Sequence, residues 1–408
     1  NSPEFFTAKL VYIKQFKKRN IVMNFKLDKT ILKQSLEKAL QNNQINILDV
    51  KNNTTNTKGV NFLSDTYFIS VRYMIDSKDD DMRAERSINV FIKSIPTHVK
   101  SAEHIVKEQD LFVTELKVLR DVLPMIEECV GRQIGPTLWY GSEDRKVIIM
   151  EHLTTKGFGM KDRQKGLSMA HCILVMEQMA KLHAGSVAVF EKGYTFKNRQ
   201  NFKVANLLRL SETIAKWSDE RCARTVHKFN KLVETIGSRC TDVYNYEPDE
   251  FCVLNHGDCW INNIYYRTII LASFQVDYQM SVYTSPAIDL LYFLNICPEI
   301  SFKYDMDDFF LQVYLNHLKS TMEYIGCKTK PPTMVELKRA IYKRRIYAVF
   351  SAIVLHLRMI ANAEDVEDFD EVLGNLRGET KMDVFKNPEA IKIARKMIPT
   401  LDGRGYLD

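Results

Sequence analysis

The chain has 408 residues, of which 45% are hydrophobic and 26% are charged, and its formal net charge is +6. This is the ordinary composition of a globular protein, and it excludes a disordered or collagen-like chain. A positive charge this mild does not favour nucleic acid as a partner. The length predicts two or three folding units.

Cysteine spacing and hydropathy bear on where the protein works. None of the eight cysteines forms a CxxC pair, so neither a zinc ribbon nor a secreted disulfide framework is indicated. The longest apolar stretch, Ile346 to Leu357, is shorter than the ~20 residues that a membrane helix needs. We therefore expect a cytoplasmic protein without a membrane span.

The first residues differ in character from the rest. The chain begins at Asn1, and Met23 opens a normal-looking start after a basic stretch without apolar periodicity. We expect residues 1–22 to be a non-native or disordered extension, and we leave them out of the fold prediction.

The next segment is predicted to be rich in strands. Apolar and polar residues alternate from Tyr67 to Ile75. A return strand follows in which Ile88, Val90 and Ile92 form one face and Lys93 lies on the other. A helix is predicted over residues 101–123, ending before Pro124. Two more strands are predicted at residues 137–140 and 147–151.

After Glu151 the apolar spacing becomes helical. Helices are predicted over residues 168–186, parts of 200–240, 285–296, 307–325 and 334–363, with one strand pair at 263–277. The sequence thus predicts a bilobal α+β fold. Residues 23–151 form a small β-rich lobe with one key helix, and residues 152–408 form a larger, mostly helical lobe.

The sharpest motif is His256-Gly257-Asp258, followed by Asn263 and, fourteen residues later, by Asp277. If the apolar stretches between the last two residues form a hairpin centred on position 270, Asn263 lies opposite Asp277. Two oxygen donors would then converge, as Mg²⁺ prefers, and would leave Asp258 free to orient or deprotonate a hydroxyl. The alternative is a surface turn rich in Asp and Asn.

A second candidate is the pair Lys93 and Glu115. The helical neighbours of Glu115 are all apolar: Leu111, Phe112, Val118 and Leu119. A buried carboxylate needs a cation, and Lys93 on the adjacent strand is the available one. A lysine held in this way can grip nucleotide phosphates, although a purely structural ion pair remains the alternative.

These residues resemble the protein-kinase-like fold of aminoglycoside and choline phosphotransferases, and more closely the ecdysteroid kinase-like family of insects. The resemblance covers about residues 40–400. The segments that carry it are Glu151–Leu153, Gly157–Phe158 with Asp162–Arg163, Ala180–Ser186, His256–Asn263, Val276–Gln279 and Ser285–Leu294.

The resemblance implies an enzyme that transfers the γ-phosphoryl group of ATP to a hydroxyl of a small molecule, with ecdysteroids as the named substrates. It implies that Asp258 is the catalytic base or the residue that positions the hydroxyl. We interpret His256 as the packing anchor of this loop. Asn263 and Asp277 would be the Mg²⁺ ligands. Lys93 with Glu115 would hold the phosphates.

The remaining implied roles concern the adenine, the phosphates and the catalytic loop. The backbone of Glu151, His152 and Leu153 would take the adenine edge, and the amides of Asn61, Phe62 and Ser64 would meet the phosphates. Asp289 would brace the catalytic loop. From the sequence alone, a helix start at Ser285 and Pro286 would also suit a carboxylate at Asp289 because of the helix dipole.

Several features depart from the family pattern. The phosphate loop, residues 58–64, has one glycine, and residues 268–271 lack the Gly, Asn or Asp of a tight turn.

Cys259 lies inside the catalytic loop without an activating histidine, so we interpret it as structural. His183 is predicted to be a core histidine.

The acceptor is left open by the sequence. Aromatic residues after position 300 could form a steroid-sized cleft or serve as core: Phe302, Tyr304, Phe309, Phe310, Tyr314, Tyr342, Tyr347 and Phe350. A choline-type acceptor would prefer aromatics with carboxylates, and an acidic cluster at residues 364–371 keeps that alternative open.

Three classes of function compete: a small-molecule kinase, a nucleotide-binding pseudokinase scaffold and a carrier of apolar ligands. A pseudokinase usually lacks a metal ligand or the base, whereas the candidate polar positions are all present here. We therefore predict a kinase that acts on a hydroxyl of a steroid or xenobiotic, as a monomer.

Overall fold

The structure is a computed structural model. It describes residues 28–54, 63–76, 84–96, 100–196, 219–267, 272–360 and 387–408. Residues 1–22, which we expect to be an extension, lie outside the described ranges. No helix in the described part of the chain is long and apolar enough to cross a membrane.

The first part of the described chain is built on one antiparallel sheet, in the order β1-β2-β3-β5-β4. Its strands are β1 (Ile45–Asn52), β2 (Asp65–Ile75), β3 (Arg86–Ser94), β4 (Leu138–Ser142) and β5 (Val147–Glu151). The alternation predicted for β2 is confirmed, since Tyr67, Ile69 and Val71 are all buried. Neither β1 nor the helix before it, α1 (Lys29–Leu40), was predicted.

The long helix beside the sheet differs from its prediction. It consists of α2 (Lys100–Glu108), α3 (Leu111–Lys117), a π-turn (Val118–Val122) and α4 (Leu123–Val130). Asp110 adopts a positive φ of 53° and separates α2 from α3. The prediction that the helix ends before Pro124 is wrong. Pro124 lies at the start of α4, directly after the π-turn, and the helix continues past it.

The second part is mostly helical, which confirms the predicted α+β class. Its helices are α5 (Met169–Glu191), α6 (Glu220–Ala223), α7 (Val226–Asp242), α8 (Ala287–Ile296), α9 (Asp307–Ile325), α10 (Met334–Lys343), α11 (Arg345–Val349), α12 (Leu357–Ile360) and α13 (Pro388–Gly403). A second π-turn (Phe350–His356) joins α11 to α12, so the single helix predicted over 334–363 is interrupted.

Two short antiparallel strand pairs lie in the second part. The first joins β6 (Val253–Asn255) to β9 (Val282–Thr284), and the second joins β7 (Ile264–Arg267) to β8 (Ala272–Gln275). The His256-Gly257-Asp258 motif lies between β6 and β7. The hairpin at 263–277 is confirmed, whereas the β6–β9 pair was not predicted.

The register of the hairpin corrects one detail of the prediction. Ile264 pairs with Gln275, and the Asn263 carbonyl accepts from the Val276 amide at 2.9 Å. Asn263 therefore lies opposite Val276 and not opposite Asp277. The strands enclose an even number of residues, 268–271, so the centre of the hairpin falls between two residues and the pairing shifts by one.

Apolar clusters fill each of the two parts and also the boundary between them. One cluster lies under the sheet and a large one fills the helical part. A third is formed mainly by residues of α3 to α4 but also includes Leu182, Leu254 and Tyr278 from the second part. The helix that carries Glu115 is therefore packed directly against the segment that follows β8.

Candidate active site

The loop after β6 makes a sharp turn that only glycine permits. Gly257 has φ 82°, and a Cβ placed there would lie 2.0 Å from the backbone oxygen of Met280. The backbone oxygen cannot move away as a flexible side chain could. The His256-Gly257-Asp258 motif thus reflects a close approach of two backbone segments.

Asp289 holds this turn from the first turn of α8. Its carboxylate, fully buried, accepts from the His256 amide at 2.6 Å and from the Gly257 amide at 2.8 Å. The helix begins at Ala287, one residue later than Ser285 and Pro286 suggest. Asp289 therefore contacts the loop directly, and its position near the helix N-terminus is an additional favourable feature.

Two further side chains complete this brace, and the sequence analysis did not assign them to it. His183 is fully buried and uses Nε2 toward Asp289 Oδ2 at 3.1 Å and Nδ1 toward the Tyr314 hydroxyl at 2.9 Å. Asn255 accepts from the Asp289 amide at 3.2 Å and donates to the Ser285 carbonyl at 3.2 Å. His183 is a core histidine, as predicted, but one with a polar task.

His256 anchors the loop through both ring nitrogens. Nε2 donates to the Val276 carbonyl at 2.9 Å, and Nδ1 accepts from the Asp258 amide at 3.2 Å. Burial lowers the pKa of His256, so the ring is neutral and can serve as donor and acceptor at once. His256 ties the end of the hairpin to the turn before Asp258.

The Asp258 carboxylate is held from two sides. Asn263 donates its Nδ2 to Asp258 Oδ2 at 2.9 Å, and the hydroxyl of Tyr292 donates to Oδ1. Burial raises the pKa of Asp258 to about 7, and the negative charge of Asp277 adds to this, whereas the two hydrogen bonds oppose it. A carboxyl group with such a pKa can accept a proton near neutral pH.

Lys93 lies between two carboxylates. Its Nζ is 2.5 Å from Glu115 Oε2 and 2.7 Å from Asp277 Oδ1. Lys93 and Glu115 are almost fully buried, whereas the Asp277 side chain is 18% exposed. The structure thus brings Lys93 of β3, Glu115 of α3 and Asp277 after β8 to one point.

The electrostatics of this cluster favour the charged form of Lys93. Burial alone would lower the pKa of Lys93, but the charges of Asp277 and Glu115 outweigh it and the net shift is upward. Burial raises the pKa of Glu115 to about 7, with Lys93 opposing the rise. Lys93 therefore remains a cation in a site with little access to water.

Asp277 reaches Lys93 because it leaves the strand. Its φ of 69° is left-handed, which an aspartate tolerates better than most residues. This conformation turns the side chain away from the hairpin ladder. The convergence of Asp277 and the catalytic loop thus depends on a backbone turn after β8 and not on strand pairing.

The side-chain oxygens beside Asp258 suit a magnesium ion. Asn263 uses Nδ2 toward Asp258, and Asp277 uses Oδ1 toward Lys93; no described residue donates to Asn263 Oδ1 or Asp277 Oδ2. Hard oxygens of this kind, one or two per ion, are what Mg²⁺ takes from proteins. Among the described residues, no group of three or more His, Cys, Asp or Glu side chains could hold a metal.

Some backbone groups of the predicted adenine segment are already used in hydrogen bonds within the protein. The Glu151 amide donates to the Thr137 carbonyl at 3.1 Å, and the His152 carbonyl accepts from the Thr155 amide at 3.1 Å. Leu153 begins a short 3₁₀ turn, so its amide has no acceptor within that turn. Leu153 therefore offers one candidate donor for the adenine edge.

The side chain of Glu151 fixes this segment. It is 6% exposed, accepts from the Thr137 amide at 2.8 Å, and also contacts Gln133 Nε2 and Lys156 Nζ. The carboxylate therefore joins the end of β5 to the preceding and following loops. This side-chain role was not predicted, since only the backbone of Glu151 was expected to take part in the site.

Parts of the predicted site fall outside the described residues. Asn61 and Phe62 of the phosphate loop and the acidic cluster at 364–371 lie there. Ser64 is described and buried, just before β2.

The aromatic residues proposed for an acceptor cleft are mainly core. Those that are buried are Tyr304, Phe310, Tyr314, Tyr347 and Phe350. Phe309 and Tyr342 are exposed, and Phe302 packs at the margin of the core. For the five buried residues the structure favours the core interpretation over the cleft.

The chain matches a family model over most of its length. Residues 58–327 match the model of the ecdysteroid kinase-like family, which is more than half of the chain and includes Lys93, Glu115, Asp258, Asp277 and Asp289. The search of curated proteins found no match.

Similar solved structures include several small-molecule phosphotransferases. The choline kinase LicA from Streptococcus pneumoniae has a TM-score of 0.38 at 10% identity, covering 92% of this chain and 99% of that one. A putative aminoglycoside phosphotransferase from Ralstonia eutropha has 0.42 at 10%, covering 93% and 98%. An ethanolamine kinase from Plasmodium vivax has 0.37 at 12%, covering 93% and 92%.

Because all three TM-scores lie below 0.5, the family assignment rests on the family match and on the chain's own residues. The chain belongs to the ecdysteroid kinase-like family and is a small-molecule kinase, a phosphotransferase with an alcohol group as acceptor.

Proposed function

We propose that the protein transfers the γ-phosphoryl group of ATP to a hydroxyl of an ecdysteroid-like small molecule. The observation that carries the proposal is the convergence at Asp277. This residue contacts Lys93 from the sheet, and its charge acts on Asp258 in the catalytic loop. A phosphate-binding cation and a candidate base are thereby brought to one site from distant parts of the sequence.

In the proposed reaction Asp258 acts on the acceptor. Its carboxylate orients the hydroxyl and takes its proton as the oxygen attacks the γ-phosphorus, while the bond to the β-phosphate oxygen breaks and ADP leaves. The hydrogen bonds from Asn263 and Tyr292 hold the carboxylate in place during this step. Positioning of this kind is a large part of catalysis in phosphoryl transfer.

Lys93 is proposed to hold the α- and β-phosphates. Its ammonium group is fixed by Glu115, which lies in an apolar environment and has Lys93 as its cation. When phosphates bind, they compete with Asp277 for the same ammonium protons. Glu115 keeps Lys93 in the site throughout, so the lysine need not be reordered at each turnover.

Asn263 and Asp277 are proposed to hold Mg²⁺ through side-chain oxygens. The bound ion would neutralise charge on the phosphates. Leu153 is proposed to donate its amide to the adenine edge, and the amides around Ser64 to meet the phosphates.

The ecdysteroid-like acceptor is proposed from the family, which is named for ecdysteroid kinases. The buried aromatic residues do not add support, because they pack into the core. An amino-alcohol acceptor is therefore the outcome to be tested against it.

The test is transfer of labelled phosphate from ATP to a panel of ecdysteroids, other sterols, phenolic glycosides and amino alcohols. We expect labelled product with ecdysteroids and other sterols. This product should disappear in Asp258→Asn and persist in the control Asp305→Asn, because Asp305 is an exposed carboxylate that pairs with Lys396. Transfer to amino alcohols alone would overturn the acceptor class. Transfer that persists in Asp258→Asn would overturn the proposed role of the loop.

A further inference from the structure

Tyr292 is a buried tyrosine on the same helix as Asp289. The two residues are three positions apart on α8, so they share a helix face. Asp289 contacts the backbone of the catalytic loop, and the Tyr292 hydroxyl donates to Asp258 Oδ1. One face of α8 thus contacts both the backbone and the key side chain of the loop.

The two oxygens of Asp258 are fixed by different elements. Oδ2 accepts from Asn263 Nδ2 at 2.9 Å, and the same nitrogen donates to the Asp258 carbonyl at 3.0 Å. Asn263 lies in the same loop, five residues after Asp258. Tyr292 belongs to α8, so its hydrogen bond joins the carboxylate to the helix that also carries Asp289.

The ring of Tyr292 is seated by other aromatic rings. It stacks on the ring of Tyr347, with ring centroids 6.2 Å apart and an interplanar angle of 29°. Tyr347 stacks in turn on Phe350, with centroids 5.9 Å apart and an interplanar angle of 25°. Phe350 opens the second π-turn. This row of rings fixes the height and tilt of Tyr292, and hence the place of its hydroxyl.

We propose that Tyr292 is a positioning residue for phosphoryl transfer, whose hydroxyl holds the Asp258 carboxylate in the orientation that meets the acceptor. The inference rests on the proposed role of Asp258. A hydrogen bond to an ionised carboxylate is stronger than one between neutral groups, and a 1 Å displacement of a reacting group can cost about 10²-fold in rate.

A purely structural role would look different. In that case the hydroxyl would use Asp258 only to satisfy its own buried oxygen, and its loss would lower stability without acting through Asp258. The two roles are separated by a split between kcat and KM and by a double-mutant cycle.

The first variant is Tyr292→Phe, which removes the hydroxyl and keeps the stacked ring. We expect kcat to fall about 10- to 100-fold while KM for ATP and for the acceptor stays within about twofold. The matched control is Tyr304→Phe. Tyr304 is also buried, and its hydroxyl has no hydrogen-bond partner among the described residues. The control should keep kcat.

The cycle repeats both tyrosine variants in an Asp258→Ala background, with melting temperature as the check on folding. If Tyr292 acts through the carboxylate, Tyr292→Phe costs less than about twofold in that background. An equal loss in both backgrounds would overturn the proposal, and so would an unchanged kcat in the single variant or a failure of Tyr292→Phe to fold. A wild-type rate in Asp258→Ala alone would instead overturn the proposed function.

Discussion

The loop that carries Asp258 and the lysine proposed to bind phosphate, Lys93, are held in different ways. Asp289 accepts from two amides of the loop and contacts His183, so the loop is fixed by several hydrogen bonds within the helical part. Lys93 is held by Glu115 and Asp277, one from each side of the boundary between the sheet-bearing part and the helical part.

Because of this difference, we expect the loop to matter for folding and the lysine cluster to matter mainly for ligand binding. The loop geometry exists without a ligand because its supporting groups are buried and satisfied by one another. The lysine cluster depends on how the two parts pack, and one of its members, Asp277, is still partly exposed to solvent. Damage to the loop should therefore lower stability and activity together, whereas damage to the cluster should lower activity with little effect on folding.

The largest effect is expected for Asp289→Asn. The amide cannot accept at both ends, so at least one of the donors His256 N–H, Gly257 N–H or His183 Nε2–H is left unpaired in the core. We expect a loss of about 3 kcal/mol in the free energy of unfolding, and a transfer rate lowered by about 10³-fold or more. Thermal melts and labelled-phosphate assays measure both.

Asp305→Asn serves as the control for this variant, since Asp305 is 65% exposed and pairs with Lys396 on the surface. It should change neither quantity appreciably. If Asp289→Asn melted like the control, the brace would not be the element that fixes the loop.

A smaller effect is expected for Glu115→Gln. The amide fills the same volume but carries no charge, which leaves Asp277 as the carboxylate that pairs with Lys93. The lysine then shifts toward Asp277 and meets the phosphates poorly. We expect KM for ATP to rise and kcat to fall, together about 10- to 100-fold in kcat/KM, with a melting temperature near that of the wild type.

The matched variant is Glu108→Gln on the preceding helix, where the side chain is 51% exposed and lies near His104. It should leave ATP kinetics unchanged. Activity of Glu115→Gln within a few-fold of the wild type would show that the pair is structural and would remove the support for Lys93.

The smallest effect is expected for Cys259→Ser, although the residue follows the candidate base directly. Cys259 is fully buried, burial raises its pKa well above the usual range, and Gln275 Nε2 donates to its sulfur at 3.1 Å. A thiol in this state is a poor nucleophile. The transfer rate should stay within about threefold, and its abolition in a folded variant would point to covalent catalysis.

Some of this site could be predicted from sequence because its signal is local. Glu115 among apolar helical neighbours predicts a buried cation partner, and the structure places Lys93 there. The strand alternation before Lys93 predicted β2 and β3 equally well. The predicted roles of these residues stay predictions, since the structure shows their contacts and not their chemistry.

Other parts could not be predicted because their partners are distant in sequence. Tyr292 and His183 lie in helices that are mostly apolar, so each reads as an ordinary core residue. Nothing near them in the sequence indicates that Tyr292 contacts Asp258 or that His183 contacts Asp289. The hairpin register was missed by one residue because residues 268–271 carry no turn signal. Pro124 suggested a helix end, since sequence alone does not show the π-turn before it.

The most direct test of the account is a titration of MgCl₂ against transfer rate and ATP affinity in Asp258→Asn and Asp277→Asn. Asp258→Asn should bind MgATP like the wild type, with a rate about 10² to 10⁴-fold lower that extra metal does not restore. Asp277→Asn should bind Mg²⁺ more weakly and regain part of its rate at high metal. Rescue of Asp258→Asn but not of Asp277→Asn would reverse the assignment, and full transfer by both variants would contradict the phosphotransferase site itself.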